Sequence, residues 1–270
     1  MKFSIQNNHE GIYIGFNELG SYLYNKGCLS STWYCCYGTL AKFLCTSDSK
    51  KNSIESIEEI QSNLYNNYEN NLGELKTVLS PIVNILRSGS YQLGFISGNN
   101  IKSTQLTAKW DIYIQSDVSD KSSTTNIAYN YYDNFSYRFI GTEAMNSIDS
   151  QTVEKYEAEI KQGKRPFAIV LSSYYQPESD KNYPYKSKGG YEADWDSENF
   201  VLDGHHKLLA YKNLGVSPSY AIIHQRFTSV KETRFNYNEF SSILNESQKG
   251  HFLKNWESSN KYLDGKRNEY

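Results

Sequence analysis

The chemistry-bearing residues of this chain concentrate in one short run, Asp203-Gly204-His205-His206-Lys207. A glycine after the aspartate permits a tight backbone turn and close approach of a ligand to the main chain. A helix that starts at such a turn presents N–H groups without intrahelical partners and the positive end of its dipole. His205, His206 and Lys207 add polar and cationic side chains at the same point. Together these features predict an anion site, with phosphate as the expected anion. Adjacent histidines on a helix diverge by about 100°. His205 and His206 are therefore badly placed to chelate one metal, since helical ligand pairs need a spacing of three or four. One is expected to face the ligand and the other to pack or orient. The plain alternative is an ordinary strand-to-helix turn with a solvated His-His-Lys face. Against it, three of the five histidines, His205, His206 and His224, fall within 20 residues.

The elements that must position this run are legible on both sides of it. Phe200-Val201-Leu202 reads as a strand entering the turn, and Leu208–Gly215 as a short helix ended by Gly215. Ser219–His224 reads as the next strand. Upstream, Ser136–Ile140 is a short strand candidate. Ser150–Lys161 is an amphipathic helix with Ser150 at the N-cap, with Val153, Tyr156 and Ile160 on one face and with Gly163 just past the end. Pro166–Leu171 is a continuous apolar run of strand length, and Tyr174–Asp196 is polar with Pro and Gly-Gly punctuation, hence a long loop.

The N-terminal half is less regular. Ile12–Phe16 alternates weakly as a strand. Ser31–Leu44 is expected to be a helix burying Trp33, Cys36, Leu40 and Phe43 at spacings of three and four. Ile54–Leu86 reads as a helical region with Ile54, Ile57, Ile60 and Leu64 on one face, and Pro81 starts a second short helix burying Ile82, Val83, Ile85 and Leu86. Tyr91–Ile96 and Trp110–Ile114 alternate with period two and read as strands, while Ser116–Asn126 reads as loop. After Arg226, Glu239–Trp256 reads as a packing helix. Cys28, Cys35, Cys36 and Cys45 supply no metal spacing and are expected to be small buried hydrophobes.

Composition narrows the classes. The 270 residues suffice for one large core or two smaller ones. With 28 basic and 30 acidic side chains the formal charge is −2, which disfavours bulk nucleic-acid binding. No apolar run is long enough to span a membrane as a helix, and Met1–Asn8 carries no apolar core of a secretory signal, so a cytoplasmic protein without membrane partner is expected. The 24 tyrosines are read as coding bias and a polar, aromatic surface.

Two blocks in the correct order resemble the ParB/sulfiredoxin-like superfamily. FVLDGHHKLLAYKNLG (200–215) looks like its box after a strand and at a helix start. VEKYEAEIKQGKRPFAIVL (153–171) is similar to the family's preceding helix and "G…P-I-x-V" unit. The resemblance covers Phe139–His224, and the box is most similar to that of ParB-like free-serine kinases. It implies that Asp203, Gly204, His205, His206 and Lys207 form a phosphate-binding box. Lys207 stands where the family usually has Arg, keeping the charge without the bidentate fork. His205 stands where sulfiredoxins carry their reactive Cys, so peroxiredoxin repair is not expected. By the same resemblance, Glu143 in GTEAMNSID (141–149) matches the acidic residue that serves catalysis in the kinases; its plain alternative is an exposed loop carboxylate.

The expected fold is α+β. A ParB/sulfiredoxin-like core at 131–226 is flanked by a mixed N-terminal region at 1–130 and a C-terminal helical extension at 227–270. The leading functional expectation is nucleotide binding with phosphoryl transfer or nucleotide hydrolysis. ATP or ADP (CTP as the family's other nucleotide) would lie with its phosphates on Asp203–Lys207, accompanied by Mg2+, with a small molecule or protein as acceptor. Asp203 or Glu143 would accept a proton or help hold the metal, and His206 and Lys207 would stabilise phosphate charge. No metal-ligand set is identified. A non-catalytic nucleotide-gated or protein-interaction module is the alternative. A ParB-like nuclease is third, without a visible paired-carboxylate motif.

Overall fold

The computed structural model describes residues 1–9, 11–17, 20–25, 28–35, 41–46, 60–98, 109–115, 126–128, 135–144, 147–175 and 198–227. Within them the chain is mixed α and β around a central mixed sheet. The strands are β1 (Lys2–Ile5), β2 (Tyr13–Asn17), β3 (Gly20–Asn25), β4 (Cys28–Cys35), β5 (Ala41–Thr46), β6 (Gly89–Ile96), β7 (Lys109–Gln115), β8 (Asn126–Ala128), β9 (Phe135–Ala144), β10 (Ala168–Tyr175), β11 (Glu198–Asp203) and β12 (Tyr220–Phe227). The helices are α1 (Leu72–Val78), α2 (Ser80–Val83), α3 (Ser150–Lys161) and α4 (His205–Asn213).

A seven-stranded sheet has the order β1-β6-β12-β10-β11-β9-β7, and a five-stranded sheet the order β2-β3-β4-β5-β8. The large sheet draws β1, β6 and β7 from before residue 131 and β9 to β12 from after it. β10 lies near its centre, parallel to β12 and antiparallel to β11, while β11 and β9 are parallel. This placement explains the unbroken apolar run: a strand covered on both faces needs apolar side chains at every position. Phe167, Ile169 and Leu171 join a core with Leu75, Leu79 and Ile82, whereas Ala168 and Val170 face the opposite way, onto Leu208 of α4. The five-stranded sheet reaches the first core through Ile14 and Leu23. A buried amide pair locks it there: Ile14 N–H donates to Gln225 Oε1 at 2.8 Å, and Gln225 Nε2 donates to Ile14 O at 3.3 Å. On the other face α3 and α4 pack through Val153, Ile160, Ala210 and Tyr211.

Several expectations are corrected. Ser31–Leu44 is not a helix. Its first part lies in β4 and its last in β5, paired antiparallel with Trp33 opposite Leu44 and Ser31 opposite Thr46, and residues 36–40 lie outside the described residues. The apolar spacing that suggested a helix face also fits two strands, and the Ser-Ser-Thr-Trp-Tyr run favours a pleated, cross-paired surface. Ile54 and Ile57 lie outside the described residues, and 60–86 is broken into a 3₁₀ turn at 60–63, α1 and α2. The break falls in the asparagine-rich stretch 66–71, and Asn71 caps α1 by accepting the Glu74 N–H at 3.2 Å. Pro81 sits in the first turn of α2, with Ile82, Val83 and Leu86 buried as expected and Ile85 half-buried.

α3 matches its expected span, but its N-cap is Asp149 and not Ser150: the Asp149 carboxylate accepts the Thr152 N–H at 2.8 Å. Gly163 beyond it has φ +90°. α4 starts at His205, three residues earlier than expected, and β10 continues through Tyr174 and Tyr175, where a loop was expected. The remainder of that loop, most of Ser116–Asn126 and the helix expected at Glu239–Trp256 lie outside the described residues, as do the cysteine side chains. Among the described residues, no helix is long and apolar enough to cross a membrane.

Candidate functional site

The parallel pairing of β9 with β11, Phe200 opposite Ile140, carries Thr142–Glu143 and Asp203–Gly204 to the same end of the sheet. Gly204 turns the chain there with φ +104°, ψ 26° and is the N-cap of α4. A Cβ on Gly204 would meet Ala168 Cβ at 2.8 Å and Ala168 Cα at 2.9 Å. The missing side chain therefore lets the expected tight turn pack closely on β10. Among the described residues no acceptor is present for the backbone N–H groups of His205, His206 and Lys207, and no side chain caps the helix. Leu208 N–H makes the first helical bond, to Gly204 O at 2.9 Å.

The side chains of the run are each engaged within the protein. Lys207 is buried, and its Nζ lies 2.5 Å from Oδ2 of Asp203, four residues earlier at the end of β11. Tyr156 of α3 flanks this pair, its ring centre 6.0 Å from Nζ. Burial, and then the Asp203 charge, push the Tyr156 phenol up to about 12. His206 points across to α3: its Nε2 accepts the Asp149 N–H at 3.0 Å. The Asp149 carboxylate is held below its ordinary range, chiefly by the Thr152 hydroxyl and then by the Thr152 amide.

His205 is buried at 2% exposure. Its Nε2 accepts the Thr142 N–H at 2.9 Å, while the Thr142 hydroxyl donates to Val201 O at 2.7 Å. An Nε2 that accepts leaves the imidazole proton on Nδ1. Nδ1 lies 3.7 Å from Glu143 Oε1. Burial holds the ring below its ordinary pKa, against the opposing pull of Glu143, so it is neutral. Glu143 is more open, at 39% side-chain exposure, and its Oε2 accepts the Ser147 hydroxyl at 3.2 Å.

The structure thus brings together Asp203 with Lys207 and Glu143 with His205 at one sheet end, and turns His206 onto the α3 start. Sequence reasoning passed over Thr142, Ser147, Asp149 and Ala168 as site residues, and read Tyr156 only as part of the packed face of α3. Asp149 had a local signal, an acidic cap three residues before Thr152. The others had none, because each matters only through a contact made across the fold. Among the described residues no group of three or more His, Cys, Asp or Glu side chains is placed to hold a metal ion. A separate cleft of about 590 Å³ lies at the α3 C-terminus, lined by Tyr65, Phe95, Ser97, Lys164, Arg165 and Ser219, and Asp203–Lys207 take no part in it. No protein-family model, curated protein sequence or solved structure matches this chain.

Proposed function

We propose that the chain binds a nucleotide, ATP or ADP before CTP, with its phosphates at the α4 N-terminus, and transfers or hydrolyses a phosphoryl group there. This reading includes a ParB/sulfiredoxin-like core over 131–226, supported by the order strand, helix, strand, strand, turn, helix, strand through β9 to β12. The observation that carries it is the Gly204 turn, which leaves the amides of His205, His206 and Lys207 without acceptors among the described residues. Such amides and the helix dipole favour a phosphate oxygen. Glu143, half-exposed at the same sheet end, is the proton acceptor for an acceptor hydroxyl or water. Lys207 contributes positive charge from beneath the turn, and Asp203 holds its ammonium in place. Magnesium enters with the nucleotide phosphates, and no step is assigned to a protein-bound metal.

A titration of ATP, ADP and CTP, with and without Mg2+, alongside a nucleotide-consumption assay, tests this reading. Binding that is lost on reversing charge at the turn, as in Lys207→Glu, together with turnover lost in Glu143→Gln, is expected. No binding of any nucleotide ends it.

A second reading, a nucleotide-gated or protein-interaction module without turnover, has its own support. Lys207 and His206 are both committed to protein partners, which leaves fewer side chains for a transition state. Tight binding without consumption in any acceptor mixture would select it.

A further inference from the structure

We infer that His205 is a positioning residue for Glu143: a buried imidazole fixed as the Nδ1–H tautomer, whose proton is directed at the Glu143 carboxylate and orients it at the start of α4. The inference rests on the proposed role of Glu143 and goes beyond it, because His205 then belongs to the proton-transfer side of the site and not to the phosphate-binding side.

Three observations carry it. The Thr142 amide, 2.9 Å from Nε2, can only donate, so that nitrogen must accept and the ring proton must sit on Nδ1. The Thr142 hydroxyl spends its own proton on Val201 O, so it does not compete as a donor for Nε2. Nδ1 faces Glu143 Oε1 at 3.7 Å, and Oε2 of the same carboxylate takes the Ser147 hydroxyl. With Oε2 held by Ser147, a bond from Nδ1–H to Oε1 would restrict the carboxylate's rotation and leave its remaining lone pairs for a substrate proton. The 3.7 Å separation exceeds a hydrogen bond, and a small rotation of the half-exposed Glu143 side chain closes it, as such contacts tighten when substrate arrives. His205 itself has no free lone pair for a phosphoryl group, since Nε2 is taken and Nδ1 is protonated. It is therefore neither a phosphate-accepting nucleophile nor a cationic clamp.

The test uses the full chain with 15N-labelled histidine. The expected spectrum at neutral pH has His205 protonated on Nδ1 only, with an Nδ1–H signal that moves in Glu143→Gln, a near-isosteric substitution at a half-exposed side chain that keeps the fold. A proton on Nε2, or an Nδ1–H signal indifferent to Glu143→Gln, overturns the inference. A second arm compares two amides. Asn places its NH2 near the Nδ1 position and so keeps the donor to Glu143; Gln places its oxygen near Nε2 and keeps only the Thr142 contact. His205→Gln is expected to lower kcat by up to about 100-fold with nucleotide Kd unchanged, and His205→Asn to retain most of it. Equal losses in both variants, tracking their stability, indicate a purely structural tie and also overturn it. If the wild-type chain consumes no nucleotide, the proposed function falls, while the Nδ1–H signal still decides the role of His205.

Discussion

Gly204 lies so close to Ala168 that a Cβ would sit 2.8 Å from the Ala168 methyl carbon. Together with φ +104°, this makes the glycine a requirement of the β11–α4 turn itself. Gly204→Ala is expected to destabilise the protein by about 2–4 kcal/mol, from left-handed backbone strain and overpacking. Urea unfolding of both proteins measures it, with the midpoint falling at unchanged slope. Unchanged stability with only weakened anion binding would return Gly204 to the role of opening the turn to a ligand.

Lys207 and Asp203 form a pair whose ammonium is buried. Removing one partner of a buried pair typically costs about 3–5 kcal/mol, and the partial exposure of Asp203 places Lys207→Ala at or below the lower end of that range. The double variant Asp203→Asn/Lys207→Met, which leaves no uncompensated charge, should recover most of the loss. Thermal and denaturant midpoints of the wild type, Lys207→Ala and the double variant measure the loss and its recovery. A single-variant cost below about 1 kcal/mol would equal that of an exposed surface pair and deny the pair any special standing.

His224 gives the pH dependence a definite sign. Burial holds its imidazole at about 4, against the ordinary 6.5. Between those values the unfolded chain binds a proton that the folded chain does not. Stability is therefore fully present above about 6.5 and falls as pH drops towards 4. The full shift corresponds to at most about 3 kcal/mol, reduced by the solvent access that His224 retains. His224→Gln should flatten the stability profile in that window without abolishing its slope, because neutral, buried His205 acts in the same direction. A profile that His224→Gln leaves unchanged would show that the imidazole is solvated in the folded state.

Glu143→Gln separates chemistry from binding. Losing a positioned proton acceptor should lower nucleotide turnover about 100- to 10,000-fold. Nucleotide affinity should hold, because the amides of the α4 start are untouched. Calorimetric Kd beside a consumption assay reads both quantities. Equal losses in the two would place Glu143 in ground-state binding.

The described elements between residues 147 and 227 were largely readable from the chain because their signals are local. The Pro166–Leu171 run, the Gly204 punctuation and the Val153–Tyr156–Ile160 spacing each report a strand, a turn or a helix without help from distant residues. The Ser31–Leu44 stretch was misread for the opposite reason. Its apolar residues fit a helical period as well as a strand, and the decision lay with cross-strand partners such as Leu44 and Thr46. The pairing of β6 with β12 in one sheet joins segments on either side of residue 130 and is one that no local window contains.

The same division runs through the site. The order of residue types in Asp203–Lys207, with a strand before and a helix after, determined that backbone amides and polar side chains would gather at one turn. Tertiary structure alone decided what each side chain does there. His205 is turned inward because the Thr142 amide, 63 residues away in sequence, needs an acceptor at that point. His206 meets the start of α3 in a solvent-exposed contact, its Nε2 accepting the Asp149 N–H. Lys207 is buried with its ammonium beside the Tyr156 ring of α3 and paired with Asp203. Chain chemistry sets which groups are available, whereas the requirement that buried polar groups be paired sets which of them remain available to a ligand.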